Sequence, residues 1–342
     1  MTTKINLASN SDFSLVILIP TFNRQKSLAR AVDSIKEQTS TSWKVIVSNN
    51  ASTDTTFEYL EDLKSDHRFT VYTQYLNHGA FKNISFLANV APPESLCAYL
   101  SDDDYFLDTT YLERVEAVII KRPDVSMIYG GRSLVDPDNT IVSQICGLQS
   151  SEFKGLANWT FASQKHGILN ISGIFLKRSY IKHTLDNSFG SPAGWGLDTY
   201  MQSLAASQGT VIRLSHPSVA MSICVQDNQT DSFSIKVLIN SVVQARNVFL
   251  KLADTEKQFI LRIALKMYYF ERFSSLIFMT RILKKKVSCN MSLFDSYSFI
   301  SQLGIPINHF ISVSPKNYFI ISLFFVPNWV LRPFLALNLN KA

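Results

Sequence analysis

Along the first 130 residues, short unbroken apolar runs alternate with stretches in which apolar positions recur every three or four residues. A run of about four to eight apolar residues reads as a buried strand, and the three-to-four spacing as one face of a helix. Ser14–Ile19 is therefore a predicted strand stopped by Pro20, and Gln25–Gln38, with Leu28, Ala31, Val32 and Ile35, a predicted helix. Trp43–Val47, Phe69–Gln74, Cys97–Leu100 and Val125–Tyr129 follow as strands, and Thr53–Leu63, Phe81–Val90 and Thr110–Lys121 as helices. This alternation predicts an α/β fold: a mainly parallel sheet with helices on both faces, its ligands beyond the carboxyl ends of the strands. The polar clusters Thr21–Arg24, Ser48–Asp54 and Ser101–Asp104 all fall at such ends.

Composition adds a second structural unit. The chain has 342 residues, 46% of them apolar, more than one typical domain needs. Residues 1–231 carry 19 Lys+Arg against 23 Asp+Glu, whereas residues 232–342 carry 14 against 4, so a net −4 is followed by +10. In that tail apolar stretches such as Phe259–Phe270 and Leu276–Met279 are interleaved with Arg262, Lys266, Arg281 and Lys284–Lys286. The pattern suits helices whose basic faces meet anionic lipid headgroups, and a solvated basic helix has the same composition. Tyr318–Val326 is about half of the roughly 20 apolar residues that a membrane span requires. Cys97, Cys146, Cys224 and Cys289 lack metal-site spacing and read as reduced, structural thiols, and Met1–Ser14 has no apolar stretch of the secretory kind. Both observations predict a cytoplasmic protein. No two of the six histidines have ligand spacing, which argues against a His-based hydrolytic metal site.

Asp102-Asp103-Asp104 is the strongest chemical signal. Adjacent carboxylates repel one another and are costly to desolvate, so a strand end tolerates them where water, a cation or a hydrogen-bonding ligand compensates. A divalent ion carrying a diphosphate would do so, because hard oxygen ligands suit Mg²⁺ or Mn²⁺. The plainer alternatives are a solvated acidic turn or the cap of the helix beginning near Asp108. For Asn50–Asp54 the local reading is likewise a helix cap, with Ser52 or Thr53 as capping residue.

Four motifs in order decide between these readings: Val16-Ile17-Leu18-Ile19-Pro20-Thr21-Phe22-Asn23-Arg24, Val45-Ile46-Val47-Ser48-Asn49-Asn50-Ala51-Ser52-Thr53-Asp54, Asn77-His78-Gly79 with Asn83, and Tyr99-Leu100-Ser101-Asp102-Asp103-Asp104. Together they resemble the family 2 glycosyltransferases of the GT-A fold, and more loosely the bacterial members that extend O-antigen or capsule repeat units. The resemblance implies a nucleotide-sugar-binding and catalytic domain over residues 13–232, followed by a basic, apolar helical region over residues 233–342. It gives Thr21, Asn23 and Arg24 to the nucleotide's base and ribose. It places Asn49 where relatives often hold an Asp that accepts from a uracil N–H. A neutral amide both donates and accepts, so the base stays open.

In the triplet, the resemblance makes Asp103 the metal ligand, Asp102 a ribose or metal contact and Asp104 the last acidic position of the metal motif. Asp198 aligns with the catalytic base, preceded by Leu197 where relatives have an acid, and Trp195 either stacks on an acceptor sugar or fills the core. Val225–Thr230 stands where many relatives carry a His-containing loop, with Asp227 as the substitute. The implied reaction is an inverting transfer from a nucleotide-diphosphate sugar to a hydroxyl of a saccharide or undecaprenyl-linked saccharide, with Mn²⁺ or Mg²⁺ and no nucleic-acid partner. The implied location is cytoplasmic, peripheral on the inner face of a bacterial plasma membrane. Two other classes compete: a catalytically silent nucleotide-sugar-binding scaffold, and a sugar nucleotidyltransferase. The latter is disfavoured by the lack of a Gly-rich, Lys/Arg-bearing loop after the first strand.

Overall fold

A computed structural model describes residues 15–145, 150–156, 158–159, 171–186 and 197–222, all within one compact unit. The predicted C-terminal region, Trp195, Asp227, Cys146, Cys224 and Cys289 lie outside the described residues.

Strands β1 (Leu15–Thr21), β2 (Trp43–Asn49), β3 (Phe69–Thr73) and β4 (Leu96–Tyr99) are parallel, joined through helices α1 (Gln25–Lys36), α2 (Thr56–Leu63) and α3 (Ala80–Val90). Then come β5 (Tyr105–Phe106), α4 (Tyr111–Lys121), β6 (Val125–Val135), β7 (Ile141–Ile145), β8 (Ser151–Lys154), β9 (Phe175–Lys177), α5 (Arg178–Asp186), α6 (Leu197–Gln208) and β10 (Thr210–Ser222). They form one sheet ordered β3-β2-β1-β4-β9-β6-β10-β5, with β7 on β6 and β8 on β10. The sheet is parallel as expected from β3 to β4. Beyond that it is mixed, because β9 runs antiparallel to both β4 and β6, and β5 antiparallel to β10.

β1 passes through Pro20 to Thr21 instead of stopping there. The Leu18 carbonyl accepts from the Leu100 N–H (3.0 Å), so even positions of β1 turn their backbone toward β4. β4 pairs only as far as Leu18↔Tyr99, and Pro20, which has no N–H to give on that side, stands where this ladder ends. Alternate β1 residues then serve the two faces. Leu15, Ile17 and Ile19 join one buried cluster with Leu28, Ala31, Val32 and Ile35 of α1, Leu60 of α2 and Leu112 and Val115 of α4. Tyr99, level with Leu18, faces the other way and donates its hydroxyl to the Ile84 carbonyl of α3 (2.8 Å). Gln38 falls just past α1, where its Oε1 accepts from the Leu112 N–H (3.0 Å) and so satisfies a donor at the start of α4.

Splitting β1's neighbours between β2 on one side and β4 on the other opens a crevice at the carboxyl ends of the strands. One wall is closed by Ser172-Gly173: the Gly173 N–H donates to the Tyr99 carbonyl (2.7 Å), and the Tyr111 hydroxyl to the Gly173 carbonyl (2.7 Å). Gly173 has φ +69°, and a Cβ there would lie 2.4 Å from Val219 Cγ2. Gly173→Ala should therefore cost more than about 1 kcal/mol, from backbone strain and the clash together, read as a lowered urea midpoint.

Candidate active site

The first three loops of the crevice are tied by side chains to one another's backbones. Asn23, at φ 54°, donates its N–H to Ser52 Oγ (2.9 Å) and accepts from the Thr53 N–H at Oδ1 (2.7 Å). Ser52 and Thr53, expected to cap α2, are thus engaged by Asn23, and Asp54 accepts from the Thr56 N–H instead (3.0 Å). Asn50 reaches the third loop: its Nδ2 donates to Asn77 Oδ1 (2.8 Å), and its Oδ1 accepts from the His78 N–H (3.0 Å). Thr21 and Asn49, level with each other at the ends of β1 and β2, are both buried. Asn49 Oδ1 accepts from the Ser52 N–H (2.9 Å), while its Nδ2 has no partner among the described residues. The Asn49 oxygen thus shapes the loop after β2, and its Nδ2 is the polar atom left over.

The acidic triplet meets these loops through Arg24. Its Nη1 lies 3.2 Å from Asp103 Oδ2 and its Nε 4.0 Å from Asp102 Oδ1. Burial pushes the Asp102 carboxyl up to about 7, opposed by the Thr21 hydroxyl, reinforced by the charge of Asp103, and opposed again by Arg24 and the Phe22 N–H. Asp104 turns inward, 3% exposed, where one oxygen accepts from the Ser172 hydroxyl and the other from the Ser222 N–H (3.1 Å). Burial and the neighbouring Asp103 raise its carboxyl to about 6. Asp104, expected on the metal, thus has both oxygens engaged within the protein. The triplet does not cap the next helix either: Asp108 Oδ1 accepts from the Thr110 N–H (2.9 Å) at the start of α4.

Two further arginines, neither singled out from the sequence, complete the charge balance. Arg30 on α1 donates from Nη2 to the Asp103 carbonyl (2.7 Å) and to Ser222 Oγ (2.9 Å), with its guanidinium 4.5 Å from the centre of the Tyr105 ring. Arg132 on β6 is 4% exposed, and its guanidinium interacts with the carboxylates of Asp104 and Asp198. Burial lowers it to about 10, against the pull of those two carboxylates. Asp198 stands in the first turn of α6, half-buried, so Arg132 joins the triplet to the carboxylate that sequence reasoning placed apart from it. A lone Arg after Gly130-Gly131 gives no local sign of such a partner.

Among the described residues no three His, Cys, Asp or Glu side chains converge. The open oxygen donors are the carboxylates of Asp102 and Asp103, and a guanidinium sits against both. That donor set fits a small divalent ion, which takes one or two carboxylates and completes its shell with phosphate oxygens and water.

A mixed α/β sheet with polar loops gathered at the carboxyl ends of its strands is the arrangement of a GT-A-type fold. Residues 16–180 match the family model "Glycosyl transferase family 2". The UDP-Glc:alpha-D-GlcNAc-diphosphoundecaprenol beta-1,3-glucosyltransferase WfgD of Escherichia coli is 25% identical over 146 residues, 42% of this chain and 55% of that protein, so the match spans little more than half of that relative. S. aureus TarS 1–349 in complex with UDP superposes with a TM-score of 0.61 at 15% identity, covering 85% of this chain and 79% of that one. Its complex with UDP-GlcNAc gives 0.63 at 16% identity, over 85% and 80%. At such identities the likeness concerns the fold. Over residues 16–180 the chain is thus similar to the family 2 glycosyltransferases. No helix among the described residues is long and apolar enough to cross a membrane.

Asp102 and Asp104 hold their protons more tightly folded than at the ordinary value of 3.8. Their contribution to stability is therefore complete below about pH 4 and is lost as pH rises through about 6 to 7. Asp102→Asn should flatten that decline in metal-free buffer, seen in urea midpoints measured across the range. An unchanged slope would contradict the assignment.

Proposed function

We propose that this protein is an inverting glycosyltransferase that moves a sugar from a nucleoside-diphosphate donor to a hydroxyl of a saccharide or undecaprenyl-linked saccharide in surface-polysaccharide synthesis. The observation that carries the reading is the meeting of Asp102 and Asp103, paired with Arg24, with the loops after β1 and β2 in one crevice. The family-model match over residues 16–180 supports the reaction class. WfgD, whose name specifies a UDP-glucose donor and a diphosphoundecaprenol-linked acceptor, supports the acceptor class.

In this reading Thr21, Asn23 and Asn49 bound the pocket for base and ribose, with Asn49 offering its Nδ2. Asp103, with Asp102, would hold Mn²⁺ or Mg²⁺. Such an ion supplies Lewis-acid neutralisation of the departing diphosphate. Asp198 takes the proton from the acceptor hydroxyl as it attacks the anomeric carbon opposite the leaving group. Arg132 is the nearby cation whose electrostatics include the Asp198 carboxylate. The catalytic domain would cover residues 13–232, and residues 233–342 would lie against anionic lipid on the cytoplasmic face.

A thermal-shift panel of UDP, GDP, CDP and dTDP with Mn²⁺ tests donor binding, because a ligand that binds only the folded state raises the midpoint. One diphosphate should shift it, and Asp103→Ala should abolish the Mn²⁺-dependent part. No shift with any of the four would refute the reading. Asp198→Asn should lower transfer roughly 10²–10⁴-fold while leaving the nucleotide-induced shift intact, and wild-type turnover would remove Asp198 from the role of base.

A further inference from the structure

Arg24 has a fixed backbone and a partly exposed side chain. Its carbonyl accepts from the Leu28 N–H (2.9 Å) as the first turn of α1 forms, and its own N–H donates to Thr56 Oγ1 (3.1 Å) at the start of α2. The side chain, 21% exposed, extends from this anchor to the lip of the crevice and contacts two carboxylates contributed by another strand end. At 3.2 Å from Asp103 Oδ2, the guanidinium lies beside the oxygen that a divalent ion would coordinate at about 2.1 Å. Two cations cannot share that oxygen in a partly desolvated site without strong repulsion.

We infer that Arg24 is a built-in counter-cation of Asp102 and Asp103, that it must leave for a divalent metal to enter, and that the donor's diphosphate receives it when it does. This deepens the proposed function and rests on its reading of the carboxylates as metal ligands. The role differs from the base or ribose contact that the sequence implied. Metal-free, the carboxylates stay neutralised and the crevice stays shut to stray divalent ions. With a nucleoside diphosphate present, the guanidinium exchanges one set of anionic oxygens for another, to which its planar fork is equally suited. Metal and nucleotide affinities are therefore coupled through one side chain, and the coupling is reciprocal.

The test measures Mn²⁺ binding to the full chain from the electron paramagnetic resonance signal of the unbound ion, with and without UDP, GDP, CDP or dTDP. Arg24→Gln should bind Mn²⁺ alone at least about fivefold more tightly than wild type, the low end of common coupling strengths, and should gain less from the nucleotide. Arg24→Lys, which keeps the charge, should stay near wild type. Asp103→Asn should lose Mn²⁺ binding in both the wild-type and Arg24→Gln backgrounds. Arg24→Gln binding Mn²⁺ alone no more tightly than wild type, while nucleotide-dependent Mn²⁺ binding persists, would overturn this inference and leave the proposed function standing. Mn²⁺ bound by neither protein under any condition would overturn both. Thermal melts of each variant check that a weakened affinity is not a folding defect.

Discussion

Three consecutive carboxylates at the end of a buried strand are the constraint to which the rest of the fold responds. Burial disfavours their charged form and their mutual repulsion adds to the cost, so compensation must come from nearby cations and hydrogen-bond donors. It comes from five residues. Arg24 faces Asp102 and Asp103 from the start of α1, Arg30 holds the Asp103 carbonyl from the next turn, Arg132 reaches Asp104 from β6, and Ser172 and Ser222 bond Asp104 from the segment before β9 and from the end of β10. Elements far apart in sequence are thereby required to converge on one point.

That arrangement divides the triplet by task. Asp104 has its oxygens engaged inside the sheet and works as a staple between β10 and the turn after β4. Asp102 and Asp103 share one partly exposed guanidinium, that of Arg24. Arg132, buried on β6, feels the charge of both Asp104 and Asp198, so one cation links the triplet electrostatically to the first turn of α6.

The parallel half of the fold was legible to within a few residues, because its strands are continuous apolar runs and its helices keep a clean apolar stripe, as at Leu28, Ala31, Val32 and Ile35. β10 was not. It contains His216 at φ 73° and Pro217, and its register against β6 shifts at both, so no regular period survives in the sequence. β6 runs on past Tyr129, where the predicted strand ended, through Gly130-Gly131 to Val135. In the fold Gly130 permits close packing: a Cβ there would lie 2.1 Å from Ser218 Oγ. The site was legible where it is local, at Thr21–Arg24, Asn49–Asp54 and Asp102–Asp104, and illegible where it depends on a partner from elsewhere, as with Arg30 and Arg132.

The sequence by itself determined the order of strands and helices in the first half, the placing of polar loops at strand ends and the presence of a carboxylate run in need of a cation. These follow from periodicity and charge, which act over a few neighbouring residues. Only the tertiary structure decided which cation answers which carboxylate, which of three adjacent acids turns inward, and that Asp198 shares an arginine with the triplet. Those outcomes depend on sheet order and burial, and neither exists until residues 30, 104, 132 and 198 are brought together by folding.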